Sequence, residues 1–174
     1  TMEDILDIFK YVLPSVVTFL AAYFIIKAFL DREYKNKMMD LRMQNQQTIT
    51  PIRLQAYERM VLFLERISIT QLVSRVHKSG MSARLLQSEL VKTIRNEYDH
   101  NLSQQVYITQ QTWNSIKTAK EETIRAINIA STKVSDDAAG LDLVNVLFDL
   151  VTKVEKLPTD IALEQLKLEA KQTF

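Results

Sequence analysis

The sequence predicts an all-α protein in which one N-terminal transmembrane helix continues into a stalk, followed by a compact helical bundle of about four to six helices. Only 2 glycines and 3 prolines occur among 174 residues, whereas the turns of a β-protein consume both residue types. An apolar segment occupies residues 11–30. Farther along the chain, apolar residues recur at helical spacing.

Residues 11–30, YVLPSVVTFLAAYFIIKAFL, are predicted to form the anchor. Twenty helical residues extend over roughly 30 Å, the thickness of the hydrocarbon core of a bilayer. Lys27 can extend its ammonium group to the headgroups from near one end, and Tyr11 is an interfacial anchor at the other. A cleaved signal peptide is disfavoured because the preceding residues are acidic. A buried core helix is disfavoured because nearly every face is apolar.

The charges that flank the anchor predict its orientation. The N-terminal flank contains Glu3, Asp4, Asp7 and a single base, Lys10. On the other side, the residues predicted to set the topology and to meet the lipid bilayer are Lys27, Arg32, Lys35 and Lys37. Because basic flanks stay in the cytoplasm, the N-terminus is expected outside and the C-terminal domain inside.

The domain organisation follows from this orientation: an anchor at residues 1–30, a juxtamembrane helical stalk at 31–50 and a cytoplasmic helical domain at 51–174. The pair Thr50-Pro51 indicates the start of a helix, with Thr50 as the N-cap residue and proline at the first helical position. Further helices are expected at about 51–67, 69–77, from a Ser82 cap to near 101–103, 107–134, 141–157 and 161–171. The predicted core comprises Leu54, Tyr57, Met60, Val61, Phe63, Leu64, Ile67, Leu72, Val73, Val76, Leu86, Leu90, Ile94, Tyr98, Leu102, Ile116, Ala119, Ile124, Ile127, Ala130, Leu141, Val144, Leu147, Phe148, Leu150, Val151, Val154, Leu163, Leu166 and Ala170.

Composition and motifs exclude several classes of site. The chain has no cysteine, hence no disulfide framework and no thiolate nucleophile. A net charge of +1 gives no support to nucleic-acid binding. Glu97 and His100 have the Glu-x-x-His spacing of di-iron bundles, but such bundles need a second copy, and the only other histidine is His77. We therefore predict no catalytic residue, no metal site, no cofactor and no small-molecule substrate.

Residues 101–116, NLSQQVYITQQTWNSI, contain no charged side chain, which is unusual for a surface helix. Aromatic and amide groups of this kind suit a protein interface, because little charge must be desolvated. The alternative is a helix buried inside the bundle through its amides. The predicted partner interface consists of Tyr107, Gln110, Gln111, Trp113 and Asn114.

Three stretches of the chain are similar to sequences of a known family: TITPIRLQAYERMVLFLERIS, LVSRVHKSGMSARLLQ and IRNEYDHNLSQQVYIT. Together they resemble a family of small membrane proteins of Bacteroidota with no assigned activity, from the anchor to about residue 130. The most specific motif is EYDHNLSQQ, residues 97–105. The resemblance implies a single N-terminal span, a helical soluble part and a location in the bacterial inner membrane, and it transfers no catalytic residue.

The leading functional hypothesis is a membrane-anchored interaction or scaffold protein, or an accessory subunit of an inner-membrane complex, with a protein partner or a homo-oligomeric state and no catalytic activity. A peripheral-stalk-like structural subunit is the first alternative. It needs a long uninterrupted helix, which Pro51, Gly80 and Pro158 are expected to break. An enzyme with a polar site around Glu97, Asp99 and His100 is the second alternative.

Overall fold

The computed structural model describes the backbone of residues 2–173 and the side chains of residues 10–173. Thr1 and the acidic side chains of the N-terminal flank lie outside this description. The described residues form six α-helices: α1 Met2–Ile67, α2 Ile69–Val76, α3 Ala83–Asn101, α4 Gln110–Ser131, α5 Gly140–Thr152 and α6 Pro158–Thr173, with a 3₁₀-helix at Leu102–Val106. No strand occurs within residues 2–173, so the prediction of an all-α fold is confirmed.

The chain divides into two units, residues 1–50 and residues 51–174. The first unit is helical, and every side chain in its segment 11–30 is exposed. This part of α1 is long and apolar enough to cross a membrane, and none of its most apolar window is buried. Ser15 donates a hydrogen bond to the Val12 carbonyl at 2.7 Å, and Thr18 donates one to the Pro14 carbonyl at 2.5 Å. Both hydroxyl groups are therefore satisfied within the helix.

The helix break predicted at Thr50-Pro51 is wrong, because α1 continues to Ile67. Proline inside a helix removes one backbone hydrogen bond, here to the carbonyl of Gln47, and crowds the preceding turn. Residues 47–52 are exposed, so water can bind the released carbonyl. Pro51 consequently does not interrupt the helix, whereas Gly80 lies between α2 and α3 and Pro158 begins α6.

The second unit has one hydrophobic core, to which the C-terminal part of α1 and helices α2–α6 all contribute. Helix α4 packs most extensively against α6 and also contacts α3 and α5. Most predicted core residues are buried, and the side chains predicted as core but found exposed are Leu54, Leu102, Leu141, Phe148 and Val154. In α5 the buried face runs through Leu143, Val144 and Leu147. That helix is apolar around much of its circumference, so its periodicity did not identify the inner face.

Helix ends depend on local hydrogen bonds. The predicted Ser82 cap is confirmed, because its hydroxyl accepts a hydrogen bond from the amide of Leu85 at 3.2 Å. Helix α4 begins three residues later than predicted, after the N-cap Thr109, since residues 102–106 form the intervening 3₁₀-helix. Helix α5 ends at Thr152 rather than at Leu157.

Two loops of the second unit are joined through backbone hydrogen bonds. The amide of Ala83 donates to the carbonyl of Ala138, and that of Gly140 donates to the carbonyl of Met81, each at 2.8 Å. A Cβ atom on Gly140 would lie 2.9 Å from the Met81 oxygen, which is too close for an unstrained contact.

Replacement of Gly140 by alanine is therefore expected to lower the free energy of unfolding by about 1 to 3 kcal/mol through overpacking. Thermal unfolding followed by circular dichroism measures this effect. The exposed neighbour Leu141 provides the control, because Leu141→Ala should change stability by no more than about 0.5 kcal/mol. Equal stability of G140A and the native chain would contradict the close approach of the two loops.

Candidate functional site

The predicted interface residues do not share one environment. Gln110, Gln111 and Asn114 are exposed on the first turns of α4, and the Gln110 amide donates a hydrogen bond to Asn114 Oδ1 at 2.9 Å. Tyr107 is half-buried at the end of the 3₁₀-helix. Trp113 is only 4% exposed. The charge-free segment therefore contributes side chains to both the surface and the core.

Trp113 belongs to an aromatic cluster inside the bundle. Its ring stacks on Tyr98 with centroids 5.6 Å apart, and Tyr98 also contacts Phe63 at 5.9 Å. The ammonium of Lys120 lies 4.1 Å from the centre of the Tyr98 ring, a cation–π contact. Burial raises the pKa of Tyr98, although the positive charge of Lys120 opposes the shift. Trp113 is therefore a core residue and cannot be part of an accessible interface.

The three residues of the proposed enzyme site do not converge. Glu97 forms ion pairs with Arg66 at 2.8 Å and with Arg75 at 3.3 Å, and so links α3 to α1 and α2. His100 lines a shallow depression with Glu97, whereas Asp99 lines a separate one. Among the described residues, no group of three histidine or carboxylate side chains could hold a metal ion. The clearest role of Glu97 is to connect helices.

A buried carboxylate that was not among the predicted site residues lies at the junction of α1, α4 and α6. Glu169 is 7% exposed. Its Oε1 accepts hydrogen bonds from the Tyr57 hydroxyl at 2.8 Å and the Thr109 amide at 2.9 Å, and its Oε2 accepts one from the Thr109 hydroxyl at 2.6 Å. The positive N-terminal end of α4 adds a favourable field. The available signal was its position on the same face of α6 as Ala162 and Leu166.

The pKa of Glu169 is lower than the ordinary value of 4.5. Burial by itself would raise it, but the hydrogen bonds from Thr109 and Tyr57 favour the charged form and outweigh the burial. At neutral pH the carboxylate is therefore ionised, and its hydrogen bonds connect α6 to α1 and to the start of α4.

An apolar groove with a volume of about 270 Å³ lies between α4, the end of α5 and the start of α6. It is lined by Ile69, Glu122, Thr123, Ala126, Ile129, Leu150, Val151, Val154, Lys156, Leu157, Pro158 and Thr159. Its rim includes the half-exposed side chains Ile129 and Val154. The sequence pattern did not indicate the groove, because it predicted that α5 continues through residues 153–157 with Val154 in the core, whereas α5 ends at Thr152 and Val154 is exposed.

Comparison with known proteins identifies a match to one protein family. Nothing among the curated proteins or the solved structures matches the chain. A family model of unknown function, DUF7935, matches residues 3–173 and thus includes α5 and α6 as well as the N-terminal helix. A match over nearly the whole length establishes membership, and the chain belongs to the family of unknown function DUF7935.

Proposed function

We propose that this chain is a membrane-anchored helical binding protein, acting as a scaffold or accessory subunit of a complex in the bacterial inner membrane and catalysing no reaction. The observation that carries the proposal is the combination, in one chain, of an exposed apolar segment at residues 11–30 with a separately cored helical unit at 51–174. The exposed segment would cost much free energy in water, and a bilayer removes that cost.

The proposed orientation places the N-terminus outside and the helical unit in the cytoplasm. Its support is the exposed basic flank, which includes Arg32, Lys35 and Lys37. The resemblance to membrane proteins of Bacteroidota supports the assignment to the inner membrane of such a bacterium.

The proposed protein-binding surface is the uncharged start of α4. Gln110, Gln111 and Asn114 are exposed there, next to the half-buried Tyr107. Side-chain amides can pair with a partner's polar groups without the desolvation cost of a charge. Trp113 supports this surface from beneath and does not reach it.

A peripheral-stalk-like role is the second candidate, and the length of α1 favours it. The helix contains 66 residues and continues through Pro51. In such a protein, residues 31–50 would bind the partner, and the exposed amides of α4 would be dispensable.

The test begins with native membranes that are washed with alkaline carbonate and then extracted with a mild detergent. We expect the full chain to resist the wash, since residues 11–30 span the bilayer, and to co-purify with a stoichiometric partner identified by mass spectrometry. The double variant Gln111→Glu/Asn114→Glu should remain in the membrane but lose the partner, because it places two charges in an interface built from neutral groups.

Gln71→Glu/Ser74→Glu is the matched control, since it adds two charges at the same spacing on exposed positions of α2, outside the α4 surface. It should retain the partner. Release of the full chain by carbonate would refute the anchor. Retention of the partner by the double variant would refute the α4 surface, and loss of the partner only on changes within residues 31–50 would favour the stalk.

A further inference from the structure

The stalk, residues 31–50, presents one face that is suited to packing against another helix. Its backbone is helical throughout, and every side chain in it is exposed. Residues that recur at alternating spacings of four and three lie in one row, against which a second helix packs. The stalk face consists of six residues within about 100° of one another around the helix axis: Tyr34, Met38, Leu41, Asn45, Thr48 and Ile49. Its four apolar members are 40–69% exposed.

Along residues 34–49, the charged side chains at both edges of the stalk face are basic. Lys35 and Arg42 lie at one edge and Lys37 lies at the other. None of the three has a hydrogen-bond or ion-pair partner among residues 10–173. Asp40, the one acid in this range, lies about 130° from the centre of the face. The edges of the face therefore attract a partner whose matching edges are acidic.

The same charges disfavour a second copy of the chain as the occupant. Copies anchored in one membrane would pair in parallel. Lys37 of each stalk would then lie next to Arg42 of the other, and the two Asp31 carboxylates would meet one turn before the face. Like charges at these positions oppose pairing, whereas carboxylates in the partner make the contacts of Lys37 and Arg42 attractive.

The bilayer is also a poor occupant of the stalk face. Helix α1 continues without a break through residues 31–50. Lys37 and Arg42 therefore lie roughly 10 and 18 Å along the helix beyond Leu30, the end of the proposed anchor. The headgroup layer adds only about 5 to 8 Å on each side of the hydrocarbon core. In the proposed anchored state, most of the stalk face is consequently in water and accessible to a protein.

We propose that the stalk face binds a helix of a partner protein whose apolar stripe is flanked by acidic side chains. The carboxylates of that helix pair with Lys35, Lys37 and Arg42. A neutral polar side chain of the partner faces Asn45 and fixes the alignment of the two helices. This proposal deepens the stalk-like candidate function, and the binding itself requires neither the α4 surface nor the anchor.

The test uses the full chain in phosphatidylcholine nanodiscs and two fluorescein-labelled peptides. Each peptide contains three heptads, with leucine at the core positions and one central asparagine. One peptide has glutamate and the other has lysine at both flanking positions of every heptad, so each peptide repels itself. Fluorescence anisotropy measures binding. We expect the acidic peptide to bind at least about tenfold more tightly than the basic one, and added salt to reduce the difference.

Reversing the charges at the edges of the face should reverse this preference. In the variant Lys35→Glu/Lys37→Glu/Arg42→Glu, the basic peptide should bind more tightly than the acidic one, because attraction and repulsion are exchanged. All three side chains are exposed, so the fold should be retained, and circular dichroism establishes this first.

Two controls match the charge change and the apolar contact. Lys117→Glu/Lys133→Glu/Lys167→Glu changes the net charge equally at exposed lysines of the second unit and should leave the acidic peptide preferred. Leu41→Ala should weaken binding of the acidic peptide about tenfold through lost apolar burial. Met39→Ala should not weaken it, since Met39 is 55% exposed, as is Leu41, but lies about 130° from the centre of the face.

Equal binding of the two peptides, or binding of neither, would overturn the proposal. A preference for the acidic peptide that survives the triple charge reversal would do the same. A second copy is detected with Leu41→Cys, because the chain has no cysteine of its own. Disulfide-linked dimers that form faster in liposomes with Leu41→Cys than with Met39→Cys would place a second copy on the face and overturn the proposal. The carbonate wash tests the anchor separately, so these failures leave the anchor intact.

Discussion

Replacing Trp113 with alanine is expected to lower the free energy of unfolding of the helical unit by about 3 to 5 kcal/mol, the range for loss of a buried aromatic side chain. The indole is 4% exposed and stacks on Tyr98, so its removal leaves a cavity that Phe63 and Tyr98 cannot fill without repacking. Chemical denaturation of the full chain in detergent, followed by far-ultraviolet circular dichroism, measures the loss.

Asn114→Ala is the control for this prediction. Asn114 is the next residue of α4, but its side chain is exposed and bonded only to Gln110 among the contacts of the described residues. Its replacement should change stability by no more than about 0.5 kcal/mol. A W113A variant as stable as N114A would refute the placement of Trp113 in the core.

Replacing Glu169 with alanine is expected to lower the free energy of unfolding by about 2 to 4 kcal/mol, because buried donors lose a charged acceptor. The affected groups are the Tyr57 hydroxyl and the amide and hydroxyl of Thr109. Glu169→Gln keeps the shape but offers only one acceptor oxygen, so a smaller loss of about 1 to 2 kcal/mol is expected. Fluorescence of Trp113, the sole tryptophan, reports the unfolding in these variants.

The same carboxylate predicts a dependence of stability on pH. Its pKa in the folded protein lies below the ordinary value of 4.5. Its stabilising contribution is therefore complete well above pH 4.5 and is lost as the pH falls through that value towards the lowered folded pKa. The difference in unfolding free energy between the native chain and E169Q should accordingly shrink over this acidic range.

Glu155→Gln serves as the control for the titration, since Glu155 is exposed. This variant should change the unfolding free energy by no more than about 0.5 kcal/mol. A constant difference between the native chain and E169Q down to pH 3 would show that the charge on Glu169 does not stabilise the folded state.

Much of the fold could be predicted because it depends on local patterns. The stripe Leu86, Leu90 and Ile94 recurs every four residues, and all three side chains are fully buried. Ser82 caps α3 through a hydrogen bond to a residue three positions away, which the sequence specifies by itself. In both cases the sequence pattern lies within a single helix and its N-cap.

The predictions failed where a local preference competed with packing or solvation. Proline usually marks a helix start, yet α1 continues through Pro51, since the exposed chain there loses only one hydrogen bond. Trp113 lies in a polar, charge-free stretch that resembles an interface, but the aromatic rings of α1 and α3 provide a buried place for it. Both outcomes depend on solvent exposure or on residues that are distant in the sequence, and not only on adjacent residues.

Local sequence patterns specify the all-α class, the apolar segment at residues 11–30 and most core positions, because backbone hydrogen bonding and helical periodicity act over a few residues. The packing of the helices, in contrast, fixes which face of α5 is buried, which partners surround Glu169 and where the apolar groove lies. Those features join residues far apart in the chain, such as Tyr57 with Glu169 or Ala126 with Val154. Contacts of this kind are selected by how the helices pack together, and no local pattern encodes them.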